Sequence, residues 1–363
     1  MLHLPGPLLV GPQEERTGAW VVDGVLTWQR PRTPRGVETI TLPGWVLPGL
    51  VDAHCHVGLG PQGAVDRETT LAQAITERDA GALLLRDAGS PADTRWIDDR
   101  EDLPRLIRAG RHLARPTRYL RGYGREIDPR ELVDAVVEEA RRGDGWVTLV
   151  GDWIDRDLGD LAPCWPADVL VEAVAAAHAA GARVTAHCFG PDCLPDLLAA
   201  GIDGIEHATG LDDDTITAAA SAGVSIVPTL VNTARFGEFA DAGQARFPAY
   251  AARMRDLATR RERVVVQAWE AGVPIRCGTD AGGALAHGLV AEEVQALAAA
   301  GLPPTAALDA ATWGARAWLG APGLVEGAPA DLVVLAADPR QDLRTLRDPR
   351  AVVLRGRVHR PRG

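Results

Sequence analysis

With 363 residues, 46% of them hydrophobic and 24% charged, the chain has the balance of a soluble globular protein and room for one large α/β barrel or two ordinary domains. A formal net charge of −11 argues against nucleic acid or an anionic membrane as partner, and no uncharged apolar run is long enough to span a bilayer. Met1–Pro12 lacks the basic start of a signal peptide and the five cysteines show no framework spacing, so the expected address is the cytoplasm, with reduced thiols.

In chain order, residues 1–45 read as short strands, Leu8–Val10, Trp20–Val22, Val25–Gln29 and Glu38–Leu42, separated by Gly/Pro turns. Apolar runs then alternate with helical stretches. The run Leu50–His56 precedes a helix over Asp66–Ala80, and Ala82–Asp87 and Pro116–Leu120 precede one over Pro129–Arg142. Trp146–Gly151 leads to Pro166–Ala180, Ala182–Cys188 to Pro191–Ala200, and Gly204–His207 to Asp212–Ala222. Ser225–Leu230 leads to Ala251–Ala271, and Pro274–Asp280 to Leu289–Ala300. Several of these helices open on Pro or Asp and close on Gly, as helix ends prefer. The chain finishes in strand-like Ala330–Ala336 and Arg350–Val358.

Eight such repeats fit a (β/α)₈ TIM-type barrel over residues 46–324, although a doubly wound sheet would give similar alternation. The two terminal sets of strands, 1–45 and 325–363, are expected to meet as a small β-sandwich domain. Asp212-Asp213-Asp214 opens a helix and reads as N-terminal capping.

The chemistry lies at the carboxyl ends of the strands. His54 and His56 end the first run, His187 the fifth, His207 the sixth and Asp280 the eighth. Alternate residues of a strand share a face, so His54 and His56 project together. In a barrel these ends converge on the face where active sites lie. Neutral imidazoles plus one carboxylate suit zinc with an open position for water. His3, His112, His178 and His359 read as ordinary packing residues, and His287 sits in the loop after the eighth strand. Arg86-Asp87 reads as a structural pair, and Cys188 and Cys277 as small buried hydrophobes.

The segment Val46–His56, with Ile205-Glu206-His207-Ala208, Gly278-Thr279-Asp280-Ala281-Gly282 and Gly327–Leu335, resembles the amidohydrolase superfamily, nearest its imidazolonepropionase and prolidase-like branch. The resemblance implies that His54, His56, His187 and Asp280 hold metal. It makes Asp280 the proton carrier and lets His207 ligate a second metal or hold the attacking water. The implied activity is hydrolysis of an amide C–N bond in a peptide-like, N-acyl amino acid or cyclic amide substrate.

Relatives with two metals commonly bridge them through a carboxylated lysine on strand four. Here Thr148 stands in that place, and the chain contains no lysine at all, its 38 basic residues being arginines. The expectation is therefore one zinc per chain, unless Asp152 substitutes as a bridge. Tyr123, Arg125 and Asn232 are candidate substrate contacts. A deaminase or cyclic-amidine hydrolase is the closest alternative, ranked lower because Gly190 occupies the position where mononuclear deaminases often carry a glutamate. A binding protein on a decayed scaffold is the other. A homo-oligomer would fit either enzyme reading.

Overall fold

The computed structural model describes residues 1–32 and 38–359. Parts of the expected terminal segments, 33–37 and 360–363, lie outside the described residues. Seven parallel strands carry the central architecture: β1 (Leu50–Cys55), β2 (Ala82–Asp87), β3 (Arg105–Arg108), β4 (Trp146–Val150), β5 (Arg183–Cys188), β6 (Gly204–His207) and β7 (Ser225–Val227). They pair in the orders β3-β2-β1 and β4-β5-β6-β7. The 275–281 segment joins the two groups, Ile275 bridging Ile226 of β7 and Ala281 bridging Cys55 of β1, both in parallel sense. At the other ends of this run, the backbone N–H of Asp144, just before β4, donates to the Arg108 carbonyl at 2.8 Å.

Both faces of these strands are buried, as parallel sheets require. One face gathers Val51, Ala53, Leu84, Ile107, Trp146 and Val227 into an enclosed cluster. The other packs against helices, among them Arg67–Asp79, Leu132–Arg142, Ala167–Ala179 and Val290–Ala300. The helix starts follow the chemistry of their caps. Asp66 accepts from the Thr69 N–H, and Asp212 forms a capping box with Thr215.

Strands from both ends of the chain share one eight-stranded sheet, with its own apolar cluster. Trp45–Pro48 from the amino-terminal part pairs antiparallel with Leu332–Leu335 from the carboxyl-terminal part.

One expected strand is wrong. Residues 116–120 form an irregular turn, and the third strand is Arg105–Arg108. Its apolar centre, Leu106-Ile107, is flanked by arginines, which hides it from a hydrophobicity reading. Arg108 is nonetheless buried, because its guanidinium is taken up by Asp98 and Asp144 at 2.9 and 3.0 Å. The eighth run, expected over Pro274–Asp280, contributes isolated bridges instead of a regular strand.

Candidate active site

The carboxyl ends of β1, β5 and β6 and the 275–281 segment converge. A register irregularity between Asp52 and Cys55 shifts the phase of β1. Val51 and Ala53 pack in the enclosed cluster, while His54, within the irregularity, and His56, beyond it, both enter the site. His54 Nε2 lies 3.2 Å from His56 Nε2 and 3.2 Å from Asp280 Oδ1, and His56 Nε2 is 2.9 Å from the same oxygen. In a tetrahedral zinc site with ligands about 2.0–2.1 Å from the ion, neighbouring donor atoms are about 3.3 Å apart. The spacing of these three groups fits such an ion.

His207 joins His54 and Asp280 in a cluster whose donor atoms lie within 4.8 Å of one another. Neither His56 nor His187 is part of that group. His187 stands beside His207, with Nδ1 at 3.0 Å from His207 Nε2, while its buried Nε2 has no protein partner. The expected quartet of His54, His56, His187 and Asp280 is thus arranged as a compact group of three with the His207–His187 pair alongside.

Each donor is held from behind. His54 Nδ1 meets Glu206 Oε2 at 2.7 Å, and the other Glu206 oxygen accepts from Arg86 Nη1 at 2.9 Å. His56 Nδ1 donates to the Gly89 carbonyl at 2.8 Å, which leaves Nε2 as its free donor atom. His207 Nδ1 pairs with Thr229 Oγ1 at 2.7 Å, and the Asn232 amide donates to Asp280 Oδ2 at 2.6 Å.

Charge follows the same geometry. Burial disfavours the charged form of His54, but the Glu206 and Asp280 carboxylates override it and raise its pKa to about 10. Burial works against the Asp280 carboxylate too, yet His54, His56 and His207 hold its pKa well below the usual range. Burial lowers His207 to about 4, with Asp280 opposing, so its imidazole is neutral. The backbone is strained here: His207, Ala208, Thr229 and Asp280 have φ of 64°, 56°, 45° and 61°, the left-handed region that L-residues avoid. Such strain concentrates where surrounding packing over-determines a functional geometry.

Above the cluster opens a cavity of about 610 Å³, with His56, His187, Asn232 and Asp280 among its lining. Tyr123 and Asn232 line it. Arg125 does not: its guanidinium turns to Glu138 at 2.6 Å and Glu139 at 3.4 Å, on the neighbouring helix. Aromatic side chains that sequence reasoning did not single out make much of the wall, namely Tyr119, Trp153, Phe189, Phe239, Phe247 and Tyr250.

His112 packs in the interior, as expected, but directly behind the site. It is buried, its ring centroid is 5.1 Å from that of His56, and its Nε2 lies 3.4 Å from the Tyr119 hydroxyl. Its position two residues past Gly110, just beyond the unrecognised β3, was the available signal. His287 pairs with Glu77 and does not line the cavity.

Two further expectations are revised, and the surroundings of Thr148 are defined. Asp152 faces away from the cluster, its two oxygens accepting from the Phe189 and Gly190 N–H groups at 2.9 and 2.6 Å. Arg86 pairs with Glu206 and not with Asp87, whose carboxylate accepts from the Gly89 N–H. Thr148 is fully buried, 3.3 Å from the Thr185 hydroxyl, and Thr185 in turn accepts from Arg86.

Comparison with known proteins agrees with this architecture. An uncharacterized protein of Mycobacterium tuberculosis is 56% identical over 99% of this chain and 96% of its own length, as is a counterpart in Mycobacterium bovis. Among solved structures, a Xaa-Pro dipeptidase with bound methionine in the active site superposes with a TM-score of 0.83 at 21% identity, covering 99% of each chain. A prolidase complexed with N-methylphosphonate-L-proline gives 0.82 at 21% identity, covering 99% of this chain and all of the other. The ochratoxinase of A. niger gives 0.78 at 20%, covering 98% and 95%. At these identities the structures establish a shared fold. The sequence profile of the Amidohydrolase family matches residues 160–358, more than half of the chain, and the chain belongs to that family.

Proposed function

We propose that this protein is a zinc-dependent amidohydrolase of the prolidase-like branch that cleaves an amide C–N bond in a peptide-like or N-acyl amino acid substrate. In this reading the seven parallel strands and the 275–281 segment form a closed eight-stranded barrel, and the sheet built from both termini is a separate domain. The observation that carries the proposal is the meeting of His54 and Asp280 with His56 on one side and His207 on the other, below the 610 Å³ cavity. The likeness to a Xaa-Pro dipeptidase and to a prolidase holding a phosphonate analogue supports the substrate class.

His54, His56 and Asp280 would hold the ion, with His207 and His187 beside them. A divalent cation there supplies Lewis-acid polarisation and makes water acidic enough to react near neutral pH. The protein's own groups do the rest. Asp280, ionised and oriented by Asn232, accepts the proton of the attacking water and delivers it to the leaving nitrogen. His207, neutral and fixed by Thr229, holds the water in position. Tyr123, lining the cavity, donates to the substrate carbonyl. The deaminase alternative loses support at Gly190, which lacks the glutamate and where an added Cβ would press within 3.0 Å of an Asp152 oxygen.

The test is a screen of zinc-loaded protein against Xaa-Pro dipeptides, N-acyl amino acids and cyclic amides. The expected products are a new carboxylate and a new amine, and Asp280→Asn lowers turnover by at least about 10²-fold with the fold and bound metal retained. Stoichiometric ammonia from an aminopurine or aminopyrimidine would move the protein to the deaminase reading. Near wild-type turnover in the Asn variant would remove Asp280 from its role.

A further inference from the structure

A second cavity, of about 600 Å³, lies at the opposite end of the same strands. Arg105, Trp146 and Arg183, which line it, are the first residues of β3, β4 and β5. Arg183 precedes His187 by four residues on β5, about 13 Å at 3.3 Å per residue, so the two cavities are distinct. Arg105 shares its strand phase with Ile107, a member of the enclosed cluster, and Arg183 shares its phase with Thr185 and His187.

The charge in this cavity is unbalanced. Its two acids are already committed: Asp98 to Arg108 at 2.9 Å, and Asp144 to Arg108 at 3.0 Å and to Arg95 at 2.6 Å. Three other guanidiniums on the wall, those of Arg105, Arg183 and Arg355, form no ion pair among the described residues. Arg183 is half-buried, lies 3.9 Å over the Trp146 ring and donates only to the Trp318 carbonyl, at 2.6 Å. Arg355 donates to the carbonyls of Arg100, Glu101 and Leu103.

From deeper in the enclosed space Arg86 approaches the same Trp146 ring, at 4.6 Å. Burial pushes the Arg183 pKa down; Asp203 pulls against it, and the neighbouring Arg86 adds a lesser downward effect. In a chain of net charge −11, this cavity is a local inversion of sign.

Guanidinium forks match the paired oxygens of carboxylates and phosphates, and they hold them best where water is partly excluded. The volume exceeds what a bare ion needs and falls within the range of small-ligand sites. Trp146 and Leu319 give the cavity an apolar wall for an organic body. We propose that this cavity is a second ligand site, for a small organic oxyanion, a carboxylate or a phosphate ester, gripped by Arg105 and Arg183 with Arg355 at its edge. The site is independent of the reaction proposed above.

The experiment is calorimetric titration of the full-length protein with citrate, glycerol 2-phosphate and inorganic phosphate, at ionic strength matched with chloride. Wild type, Arg105→Gln, Arg183→Gln and Asp280→Asn are compared. At least one probe is expected to bind saturably at one site per chain. Affinity should fall at least tenfold in each arginine variant and stay unchanged in Asp280→Asn. Arg105 is exposed, so its replacement leaves the fold intact even if Arg183→Gln fails to fold. A response to citrate alone identifies a carboxylate ligand, and a response to glycerol 2-phosphate or phosphate identifies a phosphoryl one. The proposal is overturned by no saturable binding to wild type, by affinity within twofold of wild type in Arg105→Gln, or by loss of binding in Asp280→Asn, which would put the anion at the histidines.

Discussion

At the scale of single residues, the group that most governs the site touches none of its cavity. Arg86 is fully buried, donates to Glu206 and to the Ala53 carbonyl, and through Glu206 fixes which nitrogen of His54 faces Asp280. Burial would raise the Glu206 pKa, but Arg86 first and then His54 lower it well below the usual range. A carboxylate with a depressed folded pKa contributes stability above its unfolded pKa and loses it as pH falls through the folded one. Arg86→Met reverses this relation, because burial, the largest influence on Glu206, is then opposed by His54 and Thr185 alone and the folded pKa rises above the unfolded value. Such a group is least costly below the unfolded pKa and increasingly costly as pH rises. The variant is therefore expected to lose about 3–5 kcal/mol at pH 7.5 and distinctly less at pH 5, in urea unfolding followed by circular dichroism. Equal losses at both pH values would mean that the ion pair does not govern the ionisation of Glu206. From sequence, Arg86 read only as one member of a local pair, since a contact with Glu206 across 120 positions leaves no spacing signal.

Elements were legible where their ends carry local chemistry. The helix Asp213–Ala222 begins one residue past a capping aspartate and stops at Gly223, whose φ of 68° suits glycine. Strand β3 was not legible, because arginines flank its apolar pair and their burial depends on Asp98 and Asp144 from other loops. The helix Phe236–Gly243 was missed for a related reason. Its apolar residues face two ways, Phe236 and Ala240 into a buried cluster and Phe239 into the cavity. It supplies Phe239 to the aromatic wall, and Phe247 and Tyr250 come from the start of the helix Pro248–Glu270, just ahead of the Ala251 at which the pattern placed its beginning. If that wall binds the substrate's apolar portion, Phe239→Ala raises KM about tenfold, the equivalent of about 1.4 kcal/mol of lost apolar burial, with kcat little changed. Steady-state kinetics on the best amide from the screen decide it. A fall in kcat at constant KM would show that Phe239 acts on the reacting bond and not on binding.

For the whole molecule, the alternation of strand and helix and the strand-end placement of His54, His187, His207 and Asp280 were readable because both follow from local pattern. The distribution of charge along the strands was not, and it bears on how many metals the site holds. Below the histidines the enclosed space carries Arg86, Thr148 and Thr185, so the level of Thr148 has two hydroxyls and a fixed cation. Glu206 is the carboxylate at this depth, and both of its oxygens are occupied, by Arg86 and by His54. Asp152 is held by backbone N–H groups elsewhere. Two divalent ions roughly 3.5–4 Å apart would have Asp280 as the only free carboxylate among the described residues of the cluster to offset their repulsion, with the Arg86 cation nearby. A low-dielectric surrounding strengthens repulsion as much as attraction. One tightly held zinc per chain is the expected content after dialysis, measured by elemental analysis. Its removal by a chelator should lower the melting temperature, because its donors come from positions as far apart as His54 and Asp280 and bind only the folded chain. Thr148→Lys grown with bicarbonate tests the reason: unless Arg86 is also replaced by an uncharged residue, the new side chain meets a cation and no second zinc is gained. Two tightly held ions in the wild-type protein would mean that another group bridges them, and the single-metal mechanism would have to be abandoned.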